Sequence, residues 1–288
     1  MGRIDLLIAG PPCQGHSDLN NHSRRLDARN SLYARVARAA DVLQAPVVII
    51  ENVLGVTRDR GRVVPRVANL LSSRGYAYRN RMHRCLRRRR SSTKKTTLCH
   101  RLLSSVQHAW TSIPKWRGLR LKLRHVLSGI EDEPSTSPTT FTTPSKSSER
   151  NTSRIAYLFA KRAYELPDSE RPPCHRDFAH SYNAVYGRLR WDGVANTITS
   201  GFGSMGQGRY VHPTKRRLIT PHEAARIQGF PDWFRFDSVK SRGALQTIIG
   251  NAVVPRVAAH LVAYLIERGI LRPLPALPEG IQSRWGRL

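Results

Sequence analysis

The chain has 288 residues, 40% of them hydrophobic, and 48 Lys and Arg stand against 20 Asp and Glu, a formal net charge of +28. That length accommodates one large domain or two ordinary ones, and the charge points to a polyanion as partner, DNA or RNA by default. No apolar run approaches a membrane span, no charged-then-apolar leader is visible, and the four cysteines (Cys13, Cys85, Cys99, Cys174) form no Cys-x-x-Cys pair. These features argue against a membrane protein, a zinc site and a disulfide scaffold, and they fit a reducing cytoplasm.

In chain order, Ile4 to Ala9 is predicted as a buried parallel strand that stops at Gly10. Pro11 and Pro12 then fix the backbone and deliver Cys13 into a short polar loop, where a thiol can meet a ligand. A lone cysteine after such a turn is more often a buried structural residue; its context decides. Asp18 to Asn30 reads as a polar loop, and Ser31 to Leu43 has helical spacing. Pro46 to Ile50 is the next strand and runs directly into Glu51-Asn52-Val53. Strand, helix, strand makes a right-handed parallel crossover, which brings Cys13 and Glu51 to the same carboxyl edge of one sheet. By itself Glu51 would be read as a capping carboxylate at a strand end. Val64 to Ser73 is amphipathic, and Gly75-Tyr76-Ala77-Tyr78 begins a further strand.

The charge then becomes lopsided. No acidic residue lies between Asp59 and Glu131, while Arg79 to Arg124 carries fifteen Lys or Arg. His83 to Arg101 shows neither alternation nor a helical period, so this segment is expected to be the least compact of the chain. Glu133 to Ser153 is rich in Ser, Thr and Pro and reads as a linker, and Arg154 to Tyr164 as a helix. Tyr186 to Trp191 and Thr197 to Phe202 are predicted short strands joined by the Asp192-Gly193 turn. Gly201, Gly203, Gly206 and Gly208 are too irregularly spaced for a phosphate loop. Thr220-Pro221 with Glu223 has the order of a capping box opening a helix. Gln246 to Ala258 precedes a helix through Ile266, and 271–288 reads as an extended tail.

Four of these stretches share one resemblance. Gly10-Pro11-Pro12-Cys13-Gln14-Gly15-His16-Ser17, Glu51-Asn52-Val53, Arg217 to Pro231 and Gln246 to Ala258 resemble, in order, motifs of the DNA cytosine-5 methyltransferases. His16 stands where the family has an aromatic residue. The resemblance covers residues 3–78 and 121–266. It implies an α/β, Rossmann-like S-adenosylmethionine-dependent methyltransferase fold, incomplete, with a small mixed target-recognition region. The implied division is a partial catalytic domain over 1–78, an aberrant basic segment over 79–125, and linker plus recognition region over 126–215. A return to the catalytic domain over 216–270 and the tail follow.

The same resemblance implies the chemistry. Cys13 would add to cytosine C6, and Glu51 would hydrogen-bond N3 and the exocyclic amine as charge develops. S-adenosylmethionine is the implied cofactor, touched by Pro11, Asn251 and Ala252. Arg188, Arg190, Thr197 and Thr199 would serve target recognition on double-stranded DNA, whose cytosine must leave the stack; no metal is implied. The implied setting is bacterial restriction-modification in the cytoplasm, at the nucleoid.

Two departures from the family pattern matter. The Asp-x-Phe-x-Gly-x-Gly cofactor loop is absent from the sequence, in which Cys13 stands twelve residues after Met1. The Gly-Val-Pro-Gln-x-Arg-x-Arg motif is also missing from the basic segment. Arg90 to Arg101 can nonetheless be written in permitted codons that, read one base later, spell Gly-Val-Pro-Gln-Lys-Arg-Arg-Arg-Phe-Val-Ile. A frame slip is therefore one origin of the basic run, and a solvated DNA-binding arm is the other. The expectation is a chain of this family that is inactive alone. The rivals are a non-catalytic basic DNA-binding remnant and one half of a split enzyme whose complementary polypeptide carries the cofactor loop.

Overall fold

The computed structural model describes residues 4–12, 31–83, 94–101, 121–130, 138–177 and 184–273. Cys13, the polar loop after it and most of the expected tail lie outside them. The described residues fall into two compact units: one holds those up to 118 together with those from Arg256 onward, and the other holds 119–255.

The first unit is an α/β sheet. Strand β1 (Leu6–Ala9) pairs in parallel with β2 (Val47–Val53), with Ala9 opposite Ile50, and helix α1 (Tyr33–Leu43) makes the crossover between them. A short 3-10 turn (Leu54–Arg58) leads to α2 (Val63–Ser72). Helical spacing puts Tyr33, Val36, Ala37 and Ala40 of α1, and Val63, Val64, Val67 and Leu71 of α2, into one core with Val48 and Ile50. Val47 and Ile49 have the opposite parity yet are buried as well, the signature of a strand covered on both faces. Asp59 opens α2 from outside: its carboxylate accepts from the Val63 N–H at 3.1 Å. The Tyr76 hydroxyl donates to the Ala45 carbonyl at 2.6 Å and so ties the next strand to the entry of β2.

Strands β3 (Tyr76–His83) and β4 (Lys94–Arg101) complete a sheet of order β1-β2-β4-β3, in which β4 is antiparallel to both neighbours. Two parts of the basic segment, 79–83 and 94–101, thus have regular structure, and the expectation that it is the least compact part of the chain falls mostly on residues outside the described ones. Sheet pairing is made by the main chain, so it needs no side-chain alternation, and β4 has partners along both edges. Residues 84–93 and 102–120 lie outside the described ones.

The second unit is built around a core of Leu123, Leu127, Ile155, Leu158, Tyr210, Val211, Leu218, Leu245 and Ile249, among others. Its helices are α3 (Leu123–Leu127), α4 (Glu149–Ala160), α5 (Pro173–Arg176), α6 (Pro221–Gln228) and α7 (Arg242–Asn251). Ser148, in the stretch expected to be a linker, caps α4 by accepting from the Asn151 N–H. The capping box at α6 is present: the Thr220 hydroxyl accepts from the Glu223 N–H at 3.1 Å, and the Glu223 carboxylate accepts from the Thr220 N–H at 2.8 Å. Arg226 fastens α6 to α3, donating to the Val126 and Ser128 carbonyls at 3.0 and 2.8 Å.

The hairpin expected around Asp192-Gly193 does not form. Gly193 closes a turn onto Arg190, but the residues before it bridge elsewhere: Gly187 to Glu165 and Arg188 to Val211. Residues 194–199 carry no strand pairing, because the Tyr210 hydroxyl, described below, engages Thr197 and Thr199 instead.

Helix α8 (Pro255–Glu267) buries Val257, Leu261, Tyr264 and Leu265, and from Arg256 it groups with the first unit. The residues from Arg256 group with the sheet, while 216–255 groups with the second unit. By length and composition alone Arg242–Glu267 would pass for a membrane-crossing helix. It is two helices, interrupted at 252–254, and each has a buried apolar face.

Candidate active site

In the first unit the site forms where β1 and β2 end together. Because Ala9 pairs with Ile50, the next residues, Gly10 and Glu51, are also neighbours: a β-carbon on Gly10 would stand 4.0 Å from Glu51 Oε2. Glu51 is 9% exposed at the end of an apolar strand, so a carboxylate is held at the sheet edge without being dispersed into solvent. Asn52 is more deeply buried, and both ends of its amide are committed. Nδ2 donates to the Pro11 carbonyl at 3.2 Å, and Oδ1 accepts from the Val53 N–H at 2.8 Å. The prolines leading to Cys13 are thereby fastened to the residue after Glu51, which is the shared edge expected from the crossover. Cys13 itself follows Pro12 outside the described residues.

In the second unit the residues expected to recognise the target separate into different environments. Arg188 is 8% exposed, its guanidinium 4.5 Å from the ring centres of both Phe159 and Tyr164. Arg190 is exposed and lies 4.0 Å from the Tyr164 ring centre. The Tyr210 hydroxyl donates to the Thr197 carbonyl at 3.1 Å and accepts from the Thr199 N–H at 3.2 Å. With its one proton spent, it accepts from the Thr199 hydroxyl at 2.9 Å, which in turn accepts from the Gly201 N–H at 3.3 Å. The Thr199 hydroxyl is therefore part of an internal network.

Sequence reasoning missed what holds this network in place. A β-carbon on Gly250 of α7 would lie 2.2 Å from Ser200 N and 2.3 Å from the Thr199 carbonyl carbon. The helix thus meets the turn backbone to backbone, and only glycine permits that approach. Asn251, next along, is exposed at the end of α7, and the Ala252 carbonyl accepts from Gln228 Nε2 at 2.8 Å.

Also missed was a buried ionic cluster under the capping box. Arg217 donates to both Glu223 oxygens, at 2.8 and 2.7 Å. Burial pushes the Glu223 carboxyl up, but the Arg217 guanidinium, His212 and the Thr220 N–H outweigh it and hold it below the usual carboxylate range. His212 is fully buried, and burial pushes it down to about 4, further than the nearby Glu223 carboxylate raises it. It is therefore neutral, with Nδ1 accepting from the Thr214 and Lys215 N–H groups at 3.1 and 2.9 Å, so that Nε2 carries the proton.

The residues assigned to S-adenosylmethionine do not by themselves make a site for it. The Pro11 and Ala252 carbonyls each accept one hydrogen bond, from Asn52 and Gln228, and keep one lone pair apiece, beside the exposed amide of Asn251. A ribose diol, an adenine and an amino-acid head group require more donors and acceptors than that. No group of three His, Cys, Asp or Glu side chains among the described residues is arranged for a metal ion.

Residues 1–267 match the model of the C-5 cytosine-specific DNA methylases, and the chain belongs to that family. It is 42% identical to the Type II methyltransferase M1.BsuMI of Bacillus subtilis over 91% of its own length, and spans 60% of that relative. The Type II methyltransferase M.XorII of Xanthomonas oryzae is 26% identical over 96% of the chain and 70% of the relative. Among solved structures, the Entamoeba histolytica methyltransferase EhMeth matches with a TM-score of 0.54 at 15% identity, covering 91% of this chain and 77% of that one, a likeness of fold.

Proposed function

We propose that this chain is the base-attacking and target-recognising part of a DNA cytosine-5 methyltransferase, and that alone it transfers no methyl group. The observation that carries the reading is the fastening of Pro11, two residues before Cys13, to Asn52, the residue after Glu51. The Cys13 thiolate bonds to cytosine C6, and the displaced π electrons pass through the ring as the Glu51 carboxyl gives its proton to N3. C5 is then enamine-like and can take an electrophilic carbon. The base must leave the duplex for this, which is the reason for a second unit carrying Arg190 and the Thr197–Thr199 turn. Type II relatives support a restriction-modification role, with chromosomal DNA in the cytoplasm as the substrate.

S-adenosylmethionine is the donor this family reading requires, and Pro11, Asn251 and Ala252 remain its proposed contacts here, too few to bind it. One observation favours a complementary polypeptide, or further sequence of the same protein, as the source of the rest. Among the described residues β1 is the outer strand of the sheet, and Ile8 on it is 43% exposed. The test is a filter-binding assay of the purified chain with mixed-sequence duplex DNA. Binding that weakens steeply with salt is expected. Failure to bind duplex DNA at low salt would overturn the reading.

A further inference from the structure

Around Tyr164 the second unit gathers more positive charge than it neutralises. The Arg188 N–H donates to the Tyr164 carbonyl at 2.9 Å, which sets the Arg188 side chain between the Phe159 and Tyr164 rings. Arg190, two residues on, uses the same Tyr164 ring from an exposed position. Arg209 pairs with Glu165, and Arg171 pairs with Asp168 at 3.3 Å. Gly187 is needed for this: a β-carbon there would fall 2.8 Å from Arg209 Cγ. Four guanidiniums thus share two carboxylates, and Asp168 is 75% exposed, so it screens little. The Nε groups of Arg171, Arg188 and Arg209 are buried and have no acceptor among the described residues. The charge acts on Glu165, whose bond to Arg209, with Arg171 and Arg190 beyond it, holds the carboxyl below its usual range.

We propose that Arg190, with Arg171 and Arg209 behind it, is a contact for a DNA backbone phosphate, and that Arg188 is the buried strut that positions it. The proposal rests on the reading of the chain as a DNA methyltransferase and divides the two arginines of the recognition segment into different roles. Stacking on Tyr164 restricts Arg190 before binding, so less rotamer freedom is lost on contact. A phosphate would also relieve the mutual repulsion of the cluster. Such a contact positions the duplex and carries no sequence information.

The test is fluorescence anisotropy of a labelled duplex across a potassium chloride series, for wild type, Arg190→Gln, Arg190→Lys and Arg235→Ala. Gln keeps the stem on Tyr164 and removes only the charge, so the fold is retained. For Arg190→Gln the slope of log affinity against log salt should fall in magnitude by about 0.9, the value of one phosphate contact, equally on unrelated sequences. Arg190→Lys should keep the wild-type slope, and Arg235→Ala, a charge paired with Asp237 elsewhere on the surface, should also keep it. An unchanged slope for Arg190→Gln, or an equal loss for Arg235→Ala, overturns this proposal and leaves the functional reading standing. No binding by the wild type overturns both.

Discussion

The Asn52 side chain bridges 41 residues of sequence to the Pro11 carbonyl, while its oxygen is held by the neighbouring Val53 N–H. One buried amide therefore sets the position of the proline turn relative to Glu51. Removing it leaves a Pro11 carbonyl and a Val53 N–H to be satisfied by other means.

Asn52→Ala should destabilise the first unit by about 1–3 kcal/mol, the usual cost of stranding buried polar groups. Asn52→Asp should cost at least as much, because its carboxylate would face the Pro11 carbonyl oxygen with no donor. Urea unfolding followed for each variant checks this, and wild-type midpoints for both would contradict it.

Strand β4 has partners on both edges, so its amides from Lys94 to Arg101 should exchange slowly with solvent. Hydrogen exchange resolved by peptide measures this directly. Slow exchange would make the basic stretch a real structural element and remove the case for a frame slip. Exchange as fast as in an unfolded chain would contradict the central strand and return the segment to that account.

His212 gives the second unit a pH dependence of definite sign. Its folded value lies near 4 against 6.5 for the ordinary residue. Above pH 6.5 both states are neutral and nothing is lost; as pH falls from 6.5 towards 4, only the unfolded chain takes up the proton. Stability should drop across that window by up to about 3 kcal/mol. Glu223, held low, adds its own loss as pH falls further below 4.5. His212→Asn offers an oxygen to the Thr214 and Lys215 N–H groups and cannot titrate. It should flatten the profile between pH 6.5 and 4, and an unaltered profile would contradict the assignment.

Much of this was legible in the chain because it is local. The crossover that aligns Gly10 with Glu51 needs only the lengths and apolar character of two strands and a helix, and the capping box needs only the spacing from Thr220 to Glu223. What escaped depends on residues far apart. Arg188 and Arg190 share one parity on an extended segment, yet one is buried and the other exposed because of where Phe159 and Tyr164 lie. Gly250 looks like an ordinary motif glycine until the Thr199–Ser200 backbone is placed against it. Strand β4 was missed because main-chain pairing leaves no side-chain period. It occupies 94–101, where the shifted frame would place Arg-Phe-Val-Ile.

The central claim is that the base-attacking apparatus belongs to this chain and the means of holding the methyl donor does not. A lost transition-state contact commonly costs ~2.7–4 kcal/mol, a hundred- to thousandfold in rate, and the contacts proposed here for S-adenosylmethionine are fewer than that cofactor needs. The direct measurement is incorporation of tritiated methyl from S-adenosylmethionine into mixed-sequence DNA by the purified chain, with Cys13→Ala alongside. The account predicts no incorporation above that control, with DNA binding intact in both proteins. Incorporation that is present in the wild type and absent from Cys13→Ala would contradict it.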